Sequence, residues 1–496
     1  MAMIKRRALY WAIFFYFLAV VFSVGSYMPD EHYQILEFAA YKIGKTDSNG
    51  LTWEFLEQIR PSIQPALVVL LHRFWQFFGV ENPFFEVFFL RFLSAVLSLF
   101  TVWQLVGCFE SRVKDLVLRR YFPILMFLLW FMPYHNVRFS AECWSANMFW
   151  LGLVVYIKNG FNQAAKTLFF VGILMGLSLS IRFQLGLMLA GFGVWLLVVE
   201  KKSLGQILSF VCGVLLVFAL SFAVDRWFYG VWNLAIYDYV YQNTAGGRAN
   251  VGLKPIYFYV QSIFIYLVPP FSLVVIGGFF MFLYWFRSHV LTWCVVPFFV
   301  VHCLIGHKEL RFLLVLIPVL PVFVVYSLQY ISENHAAIWS KLQSKWSTLF
   351  VGLFVILNVF LIVIWSVVPL FPSNLLVKYY QKLYQTTKPN TVIFYTQRKP
   401  FQNLSSTKSQ ANFYRNKNVE ILNFDSLKSL KNTNPNCHYF ITVDSINSIN
   451  TLTINKLKFK KIYQTFPIWF VDYYSKQNFL KPKMDKYILK TIYQLE

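Results

Sequence analysis

The sequence predicts an all-α membrane protein that crosses the bilayer many times and carries a small α/β domain at its C-terminal end. Hydrophobic residues make up 57% of the 496 residues and charged residues only 14%, where about 25% is usual for soluble domains. Repeated apolar runs reach the length of roughly 18 or more residues that a helix needs to cross a bilayer core. After Pro372, short β-like runs alternate with turns rich in Lys, Asn and Ser, which is typical of a small domain with a sheet.

The apolar runs determine the predicted topology. They lie at 8–28, 62–79, 84–107, 121–134, 141–157, 166–181, 184–199, 205–224, 257–285, 290–306, 310–331 and 347–371. If the run at 62–79 crossed the membrane, the basic segment Ser111–Arg120 would lie outside, against the rule that short cytosolic loops carry the Lys and Arg. We therefore predict that 62–79 is an interfacial helix on the outer face, which leaves about 11 spans.

This topology also predicts the domains and their location. The N-terminus lies in the cytosol, and the run at 8–28 is a retained first helix. Residues 1–371 are expected to form the transmembrane domain, with 29–83 as its first outer loop. Residues 372–496 form a small basic domain on the lumenal or periplasmic side, with β-like runs at 391–395, 419–424, 438–443 and 468–473.

The net charge of +23 does not indicate a nucleic-acid partner. Part of it lies in the short loops that set topology, and much of the rest lies in the solvated tail, where it favours contact with anionic lipid headgroups. The six cysteines are scattered, form no CxxC pair and are interpreted as small core residues.

The first candidate site is Pro29–Glu37, PDEHYQILE, directly after the first span. Pro29 favours the end of the helix, which leaves Asp30 at the membrane–water boundary with Gln34 on the same helical face. A carboxylate there can act as a general base on a sugar hydroxyl. The alternative is a helix cap, in which Asp30 only stabilises the start of the next helix.

The second candidate is Gly306–Phe312, GHKELRF, between two apolar runs on the same predicted face. Ionisable groups at a membrane edge are costly unless they pair or bind something polar. His307, Lys308 and Arg311 together suit a phosphate, and Glu309 is expected to pair with Lys308 or Arg311. The alternative is that these charges only pin the end of a helix.

Further charged residues interrupt apolar stretches. Arg182 is expected to face a polar cavity. Arg138 and Glu142 have the i,i+4 spacing of a helical ion pair, and Asp225 with Arg226 is expected to form a local structural ion pair.

The outer loop Tyr229–Tyr259 contains Trp232, which can stack on a sugar or belong to an interfacial aromatic belt. It also contains the weak glycine-rich signal Gly246-Gly247-Arg248.

Three blocks of sequence, in matching order, resemble glycosyltransferase family 22, the Alg9-like mannosyltransferases with the GT-C fold. They are PDEHYQILE with LTWEFLEQIRP (Pro29–Pro61), VDRWFYGVW (Val224–Trp232) and GHKELRFLLVLIPVLP (Gly306–Pro321). Within the family they are most similar to the type that adds the third mannose to glycosylphosphatidylinositol (GPI) anchors. The chain departs from the family at Phe183, where a proline is expected after Arg182, and at GLKPIYFY (Gly252–Tyr259), which replaces a His-Pro and Trp-rich segment.

The resemblance implies an inverting transfer of mannose from a dolichyl- or polyprenyl-phosphate donor to a lipid-linked glycan such as a GPI precursor. Asp30 is then the base and Glu31 orients it or binds the sugar. The donor phosphate is assigned to His307, Lys308, Arg311 and Arg182, and the sugar or acceptor to Gln34, Trp53, Glu54, Arg60 and Trp232. No metal or cofactor is required, and the chain is expected to act as a monomer.

Two alternatives stay open at this point. One is a bacterial envelope transferase of the same fold with another sugar or lipid-linked acceptor, and the other is a transporter or flippase. The expected location is the endoplasmic reticulum membrane in a eukaryote and the inner or plasma membrane in a bacterium.

Overall fold

A computed structural model describes most of the chain. The described residues are 2–160, 164–246, 252–368, 372–388, 390–396, 399–401, 410–416, 419–428, 434, 436–443, 449–454, 456–465 and 490–496. The predicted β-like run at 468–473, together with Gly247, Arg248 and Asn403, lies outside them.

Helices dominate the chain as far as Thr386. The α-helices are α1 (Ala2–Phe22), α2 (Glu37–Lys42), α3 (Trp53–Leu56), α4 (Ile63–Phe77), α5 (Pro83–Phe109), α6 (Leu116–Leu128), α7 (Met132–Asn136), α8 (Ala141–Lys158), α9 (Ala165–Ile181), α10 (Gly186–Val198), α11 (Leu204–Tyr229), α12 (Ala235–Thr244), α13 (Phe258–Tyr266), α14 (Phe271–Trp285), α15 (Val290–Leu304), α16 (Leu320–Asn334), α17 (Ala336–Leu342), α18 (Lys345–Val367), α19 (Pro372–Thr386) and, within the C-terminal domain, α20 (Phe424–Lys428). Residues Glu31–Leu36 form a π-helix and Leu310–Val319 a 3-10 helix.

Several helices are long and apolar enough to cross a membrane. Among the described residues they are Pro83–Arg112, Leu204–Tyr229, Leu310–Asn334 and Lys345–Val367. Helices α14 and α15 pass the same test together but are bent by 117°, as in a broken span or a re-entrant loop. The chain is therefore a multi-pass membrane protein. Helix α4, 15 residues long, is not among these candidates, and neither are the apolar helices α9 and α10, so the non-spanning placement of the run at 62–79 stays a prediction.

The chain divides into two compact units, which cut across the predicted boundary at residue 372. The helical unit consists of Met1–Phe22, Gln58–Gln64 and Phe89–Val368. The sheet unit consists of Ser23–Glu57, Pro65–Phe88 and Pro369–Glu496. Most of the first predicted outer loop thus groups with the C-terminal residues.

Glycines set the spacing of the helices in the helical unit. A Cβ on Gly172 of α9 would lie 2.1 Å from the carbonyl oxygen of Phe210 in α11, and a Cβ on Gly213 would lie 2.2 Å from that of Phe169. The two backbones therefore touch, as is common where small residues line an interface between membrane helices.

The C-terminal part of the sheet unit contains a six-stranded mixed sheet. Its strands are β1 (Thr391–Tyr395), β2 (Val419–Asn423), β3 (His438–Val443), β4 (Thr451–Ile454), β5 (Leu457–Gln464) and β6 (Thr491–Leu495). The order is β2-β1-β3-β6-β5-β4, with β1 parallel to β2 and β3, and the other pairs antiparallel. The small sheet domain is confirmed, and the runs at 391–395, 419–424 and 438–443 correspond to β1, β2 and β3.

The sequence prediction missed strands β4, β5 and β6. In β5, Lys458 and Lys460 are exposed while Phe459 between them is buried in the core. Side chains of a strand alternate between two faces, so a half-solvated strand with lysines on one face resembles the lysine-rich turns around it.

Candidate active site

The predicted phosphate-binding segment lies in the helical unit between α15 and α16. Glu309 has an extended backbone, and the chain then continues as the 3-10 helix Leu310–Val319. Ten residues is long for this helix type, in which runs beyond 3–4 residues are uncommon and often mark functional or strained positions. The first turn of this helix carries Arg311, which is buried.

Arg311 belongs to a chain of charged side chains, of which Arg182, Glu142 and Arg311 itself are buried. Its Nε lies 2.7 Å from Oε2 of Glu309, and its Nη1 lies 4.0 Å from Oε1 of Glu142. The same Glu142 oxygen lies 3.0 Å from Nη1 of Arg182, and Nε2 of His307 lies 3.0 Å from Oε1 of Glu309. The structure therefore brings together Arg182, His307 and Arg311, which the sequence analysis assigned to one phosphate.

The partner of Glu142 corrects a sequence-based expectation. Helix α8 begins at Ala141, and the Ser140 hydroxyl caps it by accepting a hydrogen bond from the Cys143 amide at 3.2 Å. Arg138 therefore precedes the helix and is not one turn away from Glu142. Its guanidinium lies over the Tyr134 ring, 4.2 Å from the centroid.

Glu309 is held in its ionised form. Burial raises the pKa of its carboxyl group, but the hydrogen bond with His307 and the charge and hydrogen bond of Arg311 outweigh burial and hold the pKa at about 2. Glu309 is thus a permanent counter-ion at neutral pH, as its assignment to a structural ion pair implies. Of the two expected partners, Arg311 is the one that the structure shows.

Lys308 is buried and oriented by backbone groups. Its ammonium donates to the carbonyl oxygen of Lys254 at 2.9 Å and to that of Ile305. Since an ammonium has three N–H groups, this leaves one for a phosphate. Part of its role is to hold the backbone of Lys254 in place.

The segment that departs from the family pattern packs on this site. The Lys254 amide donates to the Gly306 carbonyl at 3.0 Å, and Leu253 forms a β-bridge with His307. Gly252 has φ of 69°, and a Cβ there would lie 2.7 Å from Nδ1 of His307. Because of both constraints, only glycine fits at this position without strain.

Arg60, which the sequence analysis assigned to the sugar or acceptor, lies in the helical unit beside Tyr239. Its guanidinium lies 5.4 Å from the ring centroid of Tyr239, and Arg182 experiences the charges of both Arg60 and Arg311. Glu142 and Glu309 lie among the guanidinium groups of Arg182 and Arg311, which are both buried. Two buried guanidinium groups beside one carboxylate form a donor set that suits an anion such as a phosphate.

Asp225 does not pair with its neighbour Arg226. It accepts hydrogen bonds from the amide of Ser62, at 2.8 Å, and from the Ser62 hydroxyl. Arg226 donates to the carbonyl of Gly230, one turn along the chain. The structure thus gives Asp225 a partner 163 residues away in sequence, and its structural role stays a prediction. Trp232 is 65% exposed and packs on Phe222.

In the sheet unit, Asp30 comes directly before the π-helix Glu31–Leu36. It is half-buried, and its side chain makes no capping hydrogen bond to that helix. Turns of π-helix inside α-helical segments are rare and occur often at functional sites. The candidate base thus adjoins an unusual backbone feature.

Two other predicted residues of this loop contact each other. Gln34 Nε2 donates to Oε1 of Glu54 at 3.2 Å, which joins the first half of the predicted motif to α3, the helix that begins with Trp53. Glu31 instead accepts a hydrogen bond from the amide of Tyr27 at 3.2 Å. This bond holds the chain where it leaves α1.

Sequence reasoning missed Glu37, the last residue of PDEHYQILE. Only 1% of its surface is exposed, and its two oxygens accept hydrogen bonds from the amides of Asn412 and Phe413 at 3.1 and 2.9 Å. Its place in the quoted motif was the only available signal, because its partners are 375 and 376 residues away.

No group of three or more His, Cys, Asp or Glu residues in the described ranges is arranged to hold a metal ion. That the reaction needs no metal stays a prediction.

Comparison with known proteins agrees with this fold and with these motifs. Residues 8–423 match the sequence pattern of the Alg9-like mannosyltransferase family, and the chain belongs to that family, as the sequence resemblance predicted. It is 24% identical over 318 residues to mouse GPI alpha-1,2-mannosyltransferase 3, covering 64% of this chain and 56% of that protein. It is 22% identical over 325 residues to the Arabidopsis thaliana mannosyltransferase APTG1, covering 60% and 54%. The chain thus spans a little over half the length of these relatives.

Solved structures with the same fold confirm the GT-C prediction. The crystal structure of ArnT from Cupriavidus metallidurans bound to undecaprenyl phosphate superposes with a TM-score of 0.54 and 11% identity, covering 99% of this chain and 97% of that one. The apo structure of the same protein gives a TM-score of 0.53 at 12% identity, covering 98% and 97%.

Proposed function

We propose that this protein is a mannosyltransferase that takes mannose from a dolichyl- or polyprenyl-phosphate and transfers it to a lipid-linked glycan such as a GPI precursor. The convergence of two buried guanidinium groups, Arg182 and Arg311, on Glu142 in a chain of this family is the observation that carries the proposal. Paired guanidinium groups can bind a phosphate through several charge-assisted hydrogen bonds, and the phosphate of a lipid-linked sugar is an anion at headgroup depth.

The chemistry follows from these charges. Asp30 removes the proton from the acceptor hydroxyl, whose oxygen attacks the anomeric carbon of mannose with inversion. The bond between that carbon and the phosphate oxygen breaks, and the lipid phosphate departs with the electron pair. Arg311 and Arg182 stabilise the charge that develops on the leaving phosphate, so this route needs no metal.

We further propose about 11 spans, with the N-terminus in the cytosol and the C-terminal domain on the opposite side. The GPI mannosyltransferase relatives favour the endoplasmic reticulum membrane for a eukaryotic source.

A second candidate keeps the fold but changes the acceptor or the sugar. It is favoured by Gly252–Tyr259, which departs from the family pattern and contacts His307 through Gly252 and Leu253. An envelope glycan acceptor is the alternative that we retain on this ground.

Transfer of radiolabelled mannose from polyprenyl-phosphate mannose, in membranes that contain the protein, tests the proposal. We expect Asp30→Asn to lower kcat about 100-fold or more, the range of general-base catalysis, and Arg311→Gln to raise the donor KM about tenfold or more. Arg287→Gln is the matched control, since Arg287 is exposed, donates to the Tyr284 carbonyl and lies over the ring of the same tyrosine. Full activity of Asp30→Asn excludes Asp30 as the base, and no transfer from any prenyl-phosphate sugar excludes the enzyme class.

A further inference from the structure

We propose that the C-terminal segment Gln410–Tyr414 sets the orientation of Asp30 by holding residues 31–36 in their π-helical turn, with Glu37 as the positioning residue. The inference rests on the proposed role of Asp30 as the base. All the groups involved belong to the sheet unit.

Both a backbone hydrogen bond and a side-chain contact join the two ends of the π-helical turn. The Glu37 amide donates to the carbonyl of His32, five residues earlier, and Nε2 of His32 lies 2.8 Å from Oε1 of Glu37. In an α-helix, residues five apart point in directions about 140° apart, since each residue turns by about 100°. The contact between His32 and Glu37 therefore favours the wider turn.

The C-terminal segment holds Glu37 in this position. Asn412 and Phe413 each donate a backbone N–H to a different oxygen of its carboxylate. Hydrogen bonds to a charged buried acceptor are stronger than neutral ones, and both donors come from main chain, which cannot rotate away. Because Glu37 is almost fully buried, no solvent can replace these donors.

Neighbouring contacts tie the same two segments together. The Tyr414 ring stacks on His32 with centroids 5.3 Å apart, and Lys45 Nζ donates to the Phe413 carbonyl at 3.1 Å. The Asn412 side chain donates to the Thr46 hydroxyl at 3.0 Å. The segment Gln410–Tyr414 therefore contacts the chain both before and after α2.

The consequence for Asp30 is geometric. A π-helical turn accommodates one more residue than an α-helical turn, so its loss would rotate the residues before it by about 100° relative to α2. Asp30 immediately precedes the turn. Misplacement of a reacting group by about 1 Å can cost about 100-fold in rate.

The test uses the full-length protein in detergent micelles, with two readouts. Hydrogen exchange measured by mass spectrometry reports on peptides that cover residues 28–42 and 410–416, and mannose transfer gives kcat and KM. We expect Glu37→Gln, which replaces one acceptor oxygen by an NH₂ group, to speed exchange in both peptides. We also expect it to lower kcat about tenfold or more while the donor KM changes less than about twofold.

Three variants act as controls. Glu37→Asp keeps both acceptor oxygens and is expected to recover part of kcat. Tyr414→Leu removes the stacking on His32, and it is also expected to speed exchange and lower kcat. This variant replaces Glu37→Gln in the test if Glu37→Gln fails to fold. Glu420→Gln changes an exposed carboxylate on β2 and should alter neither readout.

Faster exchange in both peptides with unchanged kcat would overturn the proposal, because Glu37 would then be structural only. Faster exchange confined to 410–416 would overturn it as well. If the wild type transfers no mannose, the proposed function fails, and the exchange of residues 28–42 still decides whether the C-terminal segment holds the π-helical turn.

Discussion

Arg182 and Arg311 share one carboxylate oxygen, Oε1 of Glu142, at 3.0 and 4.0 Å. The two arginines come from chain positions on either side of a long run of helices, and both are buried. A single carboxylate between two guanidinium groups holds them close together and offsets their mutual repulsion. Four predictions follow from this cluster, from the helix packing and from the topology.

Glu142→Gln is expected to destabilise the protein in a way that a lipid phosphate reverses. Removing one partner of a buried ion pair typically costs about 3–5 kcal/mol, since it leaves uncompensated charge. An anion bound by Arg182 and Arg311 would neutralise that charge, so polyprenyl phosphate should raise the Tm of the variant more than that of the wild type. Thermal unfolding with and without polyprenyl phosphate measures both effects.

The control for this prediction is Glu333→Gln. Glu333 pairs with Lys114 at 3.4 Å on an exposed surface, where such pairs contribute about 0–1 kcal/mol. An equal gain in Tm for Glu142→Gln and the wild type would contradict an anion site at the two arginines.

The stabilising contribution of Glu309 is expected to depend on acidic pH. Its pKa is lowered from 4.5 to about 2 in the folded protein, so the folded state binds its proton less readily than the unfolded state. The contribution is fully present above about pH 4.5 and is lost as the pH falls towards 2. The difference in Tm between the wild type and Glu309→Gln should therefore narrow over that range. If the difference in Tm stays constant from pH 6 to pH 3, the pKa of Glu309 is not lowered in the folded protein.

Gly172→Ala is expected to destabilise the contact between α9 and α11, because the added Cβ would meet the Phe210 carbonyl at 2.1 Å. Overpacking of this kind typically costs about 1–3 kcal/mol. Gly193→Ala in α10 is the matched control: a Cβ there meets nothing within 4 Å, and alanine stabilises a helix interior by about 1 kcal/mol relative to glycine. A lower Tm for the first variant and an equal or higher one for the second are the expected results.

The proposed topology predicts that Ser111 and Asn403 lie on opposite sides of the membrane. Asn403-Leu404-Ser405 is an N-glycosylation sequon, so expression in a eukaryotic host should glycosylate Asn403 in the lumen. A cysteine introduced by Ser111→Cys should react with an impermeant maleimide only after the membrane is opened on its cytosolic side. Labelling of both positions from one side would refute the placement of residues 62–79 as a non-spanning helix.

Local sequence patterns predicted the parts of the site that depend on neighbouring residues. Pro29 and the charges of PDEHYQILE marked the start of the helical segment that follows Asp30, and the ionisable group Gly306–Phe312 marked the end of an apolar run. Arg182 was expected to face a polar cavity because it interrupts an apolar stretch; the structure shows its ion pair with Glu142, and the cavity stays a prediction.

Partners distant in sequence were not predictable in this way. The i,i+4 spacing assigned Glu142 to Arg138, but the cap at Ser140 starts α8 after Arg138. Asp225 was assigned to Arg226 by adjacency, whereas the structure gives it Ser62. Burying each carboxylate removes water and requires a donor, and which donor is available depends on the helices that pack there.

The sequence by itself determined that this protein crosses the membrane many times, where its charged motifs lie and to which family it belongs. Composition, the length of apolar runs and the spacing of motifs are properties of consecutive residues, so they can be determined without any knowledge of packing. Only the tertiary structure decided that Glu142 joins Arg182 to Arg311 and that Glu37 binds the C-terminal segment. Those contacts form between residues far apart in the chain, because a buried charge is stabilised by whichever partner the fold brings within reach.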